Sequence, residues 1–387
     1  MNIDFVALAQ KYYDDALKDL CELLRYKSVL DEYKANSDAP FGEENKKCLE
    51  HFLSFAKRDG FDYLNVDNYA GHISYGKGKE SVGVLGHLDV VPAVGKWSHD
   101  PFDPIIADGK LFARGTLDDK GGVVASYYAL KMLKDLNVEL SKEVRIIVGC
   151  DEESGSRCVE RYFSKVDKPT YAFSPDAEFP VIYGEKGILS FDILGTIENS
   201  DIISIEAGQR YNIVCDEAKL TVKEINPTYL AEFVKEEGCQ AEIIDNSYIF
   251  YGVSAHAMQP HLGINAIKIM CKFMDKYYPC QAASFITKYF DTNGAKLGVD
   301  IDDIDMHDLT INLGVCKYNG TSLKLGYNLR VPVDTHVDVI KAGFNKGLEA
   351  YSLLSLSEFH YSPRHFVSKD SDLVVKLIDA YQSISGE

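Results

Sequence analysis

"SVGVLGHLDV", residues 81 to 90, opens as an apolar run and closes on a histidine and an aspartate two positions apart. Two further runs end the same way: "VRIIVG" (144–149) leads into Asp151, Glu152 and Glu153, and "TYAFS" (170–174) into Pro175 and Asp176. Between the first two lies "GGVVASYYALKMLKDL" (121–136), which has the length and periodicity of a helix. Continuous apolar runs separated by a helix predict buried strands in a mostly parallel sheet, an α/β arrangement covered on both faces.

In open sheets of that kind, sites gather outside the carboxyl ends of the strands. His87, Asp89, Glu152, Glu153 and Asp176 are therefore expected around one crevice, with Asp118 joining them from the turn that opens the helix near Gly121. Burying such groups without partners costs several kcal/mol each, so the pattern calls for a counter-charge. A histidine among carboxylates suits zinc or manganese, and one carboxylate can bridge two ions, which is the inventory of a hydrolytic metal site. On an extended strand His87 and Asp89 share a face, so Asp89 is expected to accept a hydrogen bond from the second ring nitrogen of His87 and fix the ring. Each acid taken alone reads as a helix cap or a solvated turn; it is the convergence of several strand ends that points to a metal-dependent hydrolase.

A chain of 387 residues exceeds what one core sustains, so two domains are expected, one inserted in the other. Hydrophobic residues make up 46% of it, ample for both cores. The formal charge of −18 argues against a nucleic-acid partner, whose phosphates need Lys and Arg. Nine scattered cysteines without a CxxC pair read as reduced thiols and point to the cytoplasm. The first 29 residues form an amphipathic helical pattern unlike a signal peptide, and no run of eighteen apolar residues predicts a membrane span. After "YGEKG" (183–187) the texture turns to alternation, as in "ILSFDILG", "AKLTVKEI", "SYIFYGVSAHA" and "LKLGYNLRVPV", with helical patterns at 264–277 and 336–351. That predicts an inserted α+β domain over 187–365, its antiparallel strands solvated on one side, between a first part at 1–186 and a return at 366–387.

The motifs "GHLDVVP" (86–92), "WSHDPFDPIIADGKLFARGTLDDKGG" (97–122), "DEESGS" (151–156) and "SPDAEFPVIYGEKG" (174–187) resemble, in order and spacing, the co-catalytic zinc peptidases that include aminoacylase, acetylornithine deacetylase, succinyl-diaminopimelate desuccinylase and glutamate carboxypeptidase. With "GVSAHAMQPHLGINA" (252–266) and "YNLRVPVDT" (327–335), the chain most resembles the bacterial dipeptidases of the PepV and Sapep type, monomers with an enlarged lid domain. The resemblance implies a zinc-peptidase-like catalytic domain with an inserted lid, and two divalent metal ions, zinc in the first place and manganese as the alternative. It implies that His87 and Asp176 hold one ion, Glu153 holds the other and Asp118 bridges, with Asp89 behind His87 and Glu152 as general base. It also implies a non-proline cis peptide between Asp118 and Asp119. From the lid, His256 would stabilise the oxyanion, and Asn212 and Arg330 would hold the substrate carbonyl and terminal carboxylate.

The family pattern ends in a Gly-rich GGTxA loop and a last ligand histidine, and neither follows "LVVKLIDAYQSISGE". A C-terminally truncated chain is thus expected, with a weakened second metal, little or no peptidase activity alone, and a helix face (Leu373, Val374, Val375, Leu377, Ile378) short of cover. The favoured function is a metal-dependent dipeptidase acting on small peptides. Deacylation of N-acyl amino acids, or a non-catalytic binding role, stand as the alternatives.

Overall fold

The computed structural model describes residues 4–386. The chain divides into two compact units, Met1–Val181 with Val375–Glu387, and Ile182–Val374.

The first unit runs through α1 (Phe5–Leu24), α2 (Glu43–Asp59), β1 (Asp62–Val66), β2 (Ala70–Tyr75), β3 (Ser81–His87), a small hairpin of β4 (Ile105–Ala107) and β5 (Lys110–Phe112), α3 (Lys120–Asp135), β6 (Glu143–Gly149), α4 (Arg157–Phe163) and β7 (Tyr171–Phe173). Its sheet has the order β1-β2-β6-β3-β7. The three strands legible as apolar runs, β6, β3 and β7, pair in parallel, while the hairpin β1–β2 adds an antiparallel edge, so the sheet is mixed. Phe52, Tyr127, Ile146 and Val148 are among the side chains buried between sheet and helices. The prediction of burial fails for β7. Its first two residues are exposed because this three-residue strand lies at the sheet edge and pairs only with β3.

Register decides what the strand ends present. His87 lies opposite Gly149, and Val84 opposite Phe173. β3 and β6 therefore finish at one level, while β7 stops three residues short of the end of β3, and Asp176 follows three residues after its last residue. Helices α1, α2 and α3 are locked by a buried carboxylate: Arg58 donates to both oxygens of Asp19 at 2.8 Å, and the Tyr128 hydroxyl donates to the same group at 2.7 Å.

The second unit contains β8 (Gly184–Glu185), β9 (Gly187–Gly195), β10 (Ile202–Ala207), β11 (Glu217–Val222), α5 (Pro227–Glu237), β12 (Gln240–Ile244), β13 (Ser247–Tyr251), α6 (Ala266–Tyr277), α7 (Gln281–Tyr289), β14 (Thr310–Tyr318), β15 (Leu323–Val331), α8 (Val337–Leu348), β16 (Leu354–Leu356), β17 (His360–Ser362) and β18 (His365–Phe366). Nine of these strands form one antiparallel sheet of order β12-β13-β11-β10-β14-β15-β9-β16, with β17 also beside β9, and β8 pairs with β18. α5 and α7 join the two helices read from the sequence.

The expected one-sided solvation holds in β9 and β11 but not in β14 and β15, which are buried on both faces. The cover is chain segment 208–215. The amide of Asn312 on β14 donates to the carbonyls of Tyr211 (2.7 Å) and Ile213 (2.9 Å). Gly314 admits this strap, since a Cβ there would lie 2.6 Å from the Tyr211 carbonyl oxygen. The last helix, α9 (Asp372–Ser385), buries Val374, leaves Leu373, Leu377 and Ile378 half-buried and Val375 exposed, and stacks Tyr381 on Phe179.

Candidate metal centre

The segments that follow β3, β6 and β7, with the turn before α3, deliver their side chains to one place. His87, Asp118 and Glu153 offer ligand atoms that all lie within 4.8 Å of one another, and so do His87, Glu152 and Asp176. His87 belongs to both triplets and is fully buried, whereas Asp118, Glu152 and Asp176 are open to solvent. The two glutamates are shared out between the triplets: Glu153 stands with Asp118, and Glu152 with Asp176.

The tautomer of His87 follows from its neighbours. Its Nδ1 lies 2.9 Å from the backbone oxygen of Asp89, which can only accept, so Nδ1 carries the proton. Nε2 then faces carboxylate oxygens of Asp118 at 3.0 Å and Asp176 at 3.4 Å. Three lone-pair atoms converge, and only a cation between them makes the arrangement favourable. Burial disfavours charge on His87, but the carboxylates of Asp89, Glu152 and Asp119 outweigh it and push the imidazole up to about 10. A proton on Nε2 is thus the metal-free answer, and a divalent ion is the stronger one.

The acids report the same crowding. Burial, then the charge of Asp118, pushes Glu153 up to about 7. Burial raises Glu152 and Asp176 as well, each pulled back by His87. Oε1 of Glu153 is buried without a hydrogen-bond partner, an orphan that a cation would satisfy. The residues therefore fit divalent metal.

Asp89 departs from expectation. Its carboxylate stands 3.5 Å from Nδ1, too far for the predicted hydrogen bond, because its backbone oxygen already takes that proton. The carboxylate instead accepts the backbone N–H groups of Glu152 (3.1 Å) and Glu153 (3.0 Å), and so holds the acidic turn beside β3. That turn is anchored from its other side by a bidentate pair, Arg157 to Asp151, both bonds 2.7 Å.

The peptide between Asp118 and Asp119 is cis, as the resemblance implies. Asp119 is fully buried and accepts the His87 N–H through Oδ2 at 3.3 Å. Gly86 makes room for it, since a Cβ there would sit 2.5 Å from Oδ2. Burial, with the charge of Asp176, pushes Asp119 up to about 7. Sequence reasoning reaches Asp119 only as the partner of Asp118 in the cis peptide and misses the wholly buried Lys120 beside it; three polar residues at the opening of an otherwise apolar helix were the signal available.

In the second unit, the remaining candidates form a neighbourhood of their own. An antiparallel bridge pairs Ile213 with His256, and the Ala257 N–H donates to the Asn212 carbonyl at 2.9 Å. Thr310, the strand partner of Arg330, donates its hydroxyl to Ala257. His256 Nδ1 accepts the Met258 N–H at 3.2 Å, which leaves Nε2 as a proton donor. Burial and the Arg330 cation lower the pKa of His256, keeping its ring neutral. Arg330 is half-buried, and its Nε has no partner.

Comparisons agree with this chemistry. The Bacillus subtilis (strain 168) protein named "Putative dipeptidase YtjP" is 38% identical over 408 residues, covering 100% of this chain and 87% of that protein. The Staphylococcus haemolyticus protein named "Putative dipeptidase SH1171" is 38% identical over 98% of this chain and 85% of its own. Among solved structures, human carnosine dipeptidase 1 shares the fold with a TM-score of 0.56 at 16% identity, over 98% of this chain and 84% of that one. Aminoacylhistidine dipeptidase from Vibrio alginolyticus does so with a TM-score of 0.53 at 14% identity, over 95% and 84%. The family model for peptidase family M20/M25/M40 matches residues 83–387, so the strand ends that gather His87 and its acids lie within it, and the chain belongs to that family.

Proposed function

We propose that this chain is a metal-dependent dipeptidase that hydrolyses the peptide bond of short peptides. The observation that carries the reading is the pair of interlocked triplets around His87, in which Nε2 and carboxylate oxygens converge on a space only cations make favourable. Two divalent ions, zinc or manganese, would there acidify a water and polarise the scissile carbonyl. His87 and Asp176 would hold one, Glu153 the other, and Asp118 both.

Glu152 acts as general base, taking a proton from the attacking water and passing it to the leaving amine. Its raised pKa, caused first by burial, brings it closer to the range in which a carboxylate both accepts and returns a proton. Asp89 fixes the acidic turn and, through its carbonyl, the ring of His87. The first unit is in this reading the catalytic domain and the second the lid. His256 serves as a neutral donor to the oxyanion and Asn212 as a donor to the substrate carbonyl. Arg330, with a free Nε, is a fork for the terminal carboxylate that an exopeptidase must recognise. The nine free thiols support a cytoplasmic protein, and the family resemblance a monomer.

The test is a metal count by mass spectrometry after dialysis against zinc or manganese, beside hydrolysis of unblocked dipeptides and of N-acetyl amino acids. Two ions per chain in excess metal, the one at Glu153 held more weakly, with at most slow turnover of dipeptides that chelation abolishes, is the expected result. A protein that retains no divalent metal overturns the reading, and preference for the acetylated substrates replaces it with deacylation.

A further inference from the structure

Lys120 is the one lysine or arginine wholly buried among the described residues. Hiding an ammonium group costs several kcal/mol unless its protons are taken up, so its partners show what its burial serves. Nζ donates to the carbonyls of Leu23 and Tyr26, both at 3.0 Å. These lie at the C-terminal end of α1 and just beyond it, where the helix dipole favours a cation. The same strap of chain holds the other metal-bearing segment. The hydroxyl of Ser28 donates to the Leu88 carbonyl at 2.6 Å, and the Ser28 carbonyl accepts the Val90 N–H at 2.9 Å, so Asp89 is pinned on both sides.

We infer that Lys120 and Ser28 are positioning residues for the metal centre: residues 23–28 form a strap that sets the spacing between the His87–Asp89 segment and the Asp118–Asp119 turn. Neither side chain reaches the ligand cluster. Lys120 is adjacent in sequence to the cis peptide and opens α3. Lys120 lies within the family match at residues 83–387, while the strap it holds, residues 23–28, lies before it. Loss of Lys120 takes a charged donor from the Leu23 and Tyr26 carbonyls, loss of the Ser28 hydroxyl takes a donor from the Leu88 carbonyl, and either frees one ligand segment to drift relative to the other.

The inference rests on the metal-centre reading, and its test keeps the two apart. The full chain is titrated with Co2+ and followed by visible absorption, which reports ligand geometry independently of turnover. Lys120→Met, Ser28→Ala and Tyr162→Phe are compared. Tyr162→Phe removes a hydrogen bond to buried His72 elsewhere in the same unit and controls for loss of stability alone. Expected are Co2+ binding about 10-fold weaker or more and an altered spectrum for Lys120→Met, a smaller loss for Ser28→Ala, and an unchanged affinity and spectrum for Tyr162→Phe. Where Lys120→Met does not fold, Ser28→Ala decides. A folded decisive variant whose affinity and spectrum match wild type overturns the inference. Wild-type protein that binds no Co2+ overturns the metal centre itself.

Discussion

Glu152 and Glu153 are neighbours in sequence with separate tasks, and substitution can tell them apart. Glu152→Gln keeps size and hydrogen bonding but removes the base, so turnover is expected to fall about 1,000-fold while the protein still retains metal. Glu153→Gln, by contrast, is expected to lose one ion per chain. Mass-spectrometric metal counts alongside dipeptide hydrolysis check both. The acids also fix a pH dependence. Glu153 and Asp119 are held at about 7 in the folded protein, above the roughly 4 of an unfolded carboxyl. Between those values the unfolded chain releases protons that the folded one keeps, so in this window the two groups lower metal-free stability as pH rises. His87, raised to about 10 from an ordinary 6.5, adds stability below 6.5 that is lost as pH climbs towards 10. Both shifts have the same sign, and a divalent ion that displaces these protons reverses them. The rise in melting temperature on adding zinc is therefore expected to be larger at pH 7.5 than at pH 5. Calorimetry at the two pH values measures it, and an equal rise would remove the coupling.

Among the elements, β14 and the strap at 208–215 make the most exacting fit. Gly314→Ala would drive a methyl group against the carbonyl oxygens of Arg210 and Tyr211, which are backbone and cannot swing aside. A loss of about 1–3 kcal/mol in urea unfolding is expected. Because the strap carries Asn212 and is bridged to His256, a raised KM with metal content unchanged should accompany it. This element also marks where sequence reasoning stops. β3, β6 and α3 were legible because each has an apolar pattern of the right period. The candidate acids were legible because a sheet aligns the ends of parallel strands. The two-sided burial of β14 and β15 was not, since the cover comes from an irregular segment with no period of its own. The exposure of β7 escaped for a related reason: an apolar run states what a strand tolerates, and its position at the sheet edge is set by pairing. Lys120 reads as a surface charge until the carbonyls of Leu23 and Tyr26, almost a hundred residues away, are brought to it.

At the scale of the whole molecule, each unit has a hydrophobic core of its own, and all six proposed metal-centre residues lie in the first. Metal bound there stabilises the state that binds it by RT ln(1 + [L]/Kd), about 2.7 kcal/mol at a hundredfold excess over Kd. Local opening of β3, β6 and the 118–123 turn breaks the ligand set and must overcome that energy, so their amide exchange is expected to slow about 100-fold. Opening within β14 and β15 leaves every metal-centre residue in place and needs none of it. Hydrogen–deuterium exchange with and without zinc should thus show protection confined to the first unit, centred on residues 84–90, 118–123 and 146–153. Equal protection along β14 and β15 would mean that the metal is held by residues of both units, and the ligand set proposed from His87, Asp118, Glu153 and Asp176 would then be incomplete.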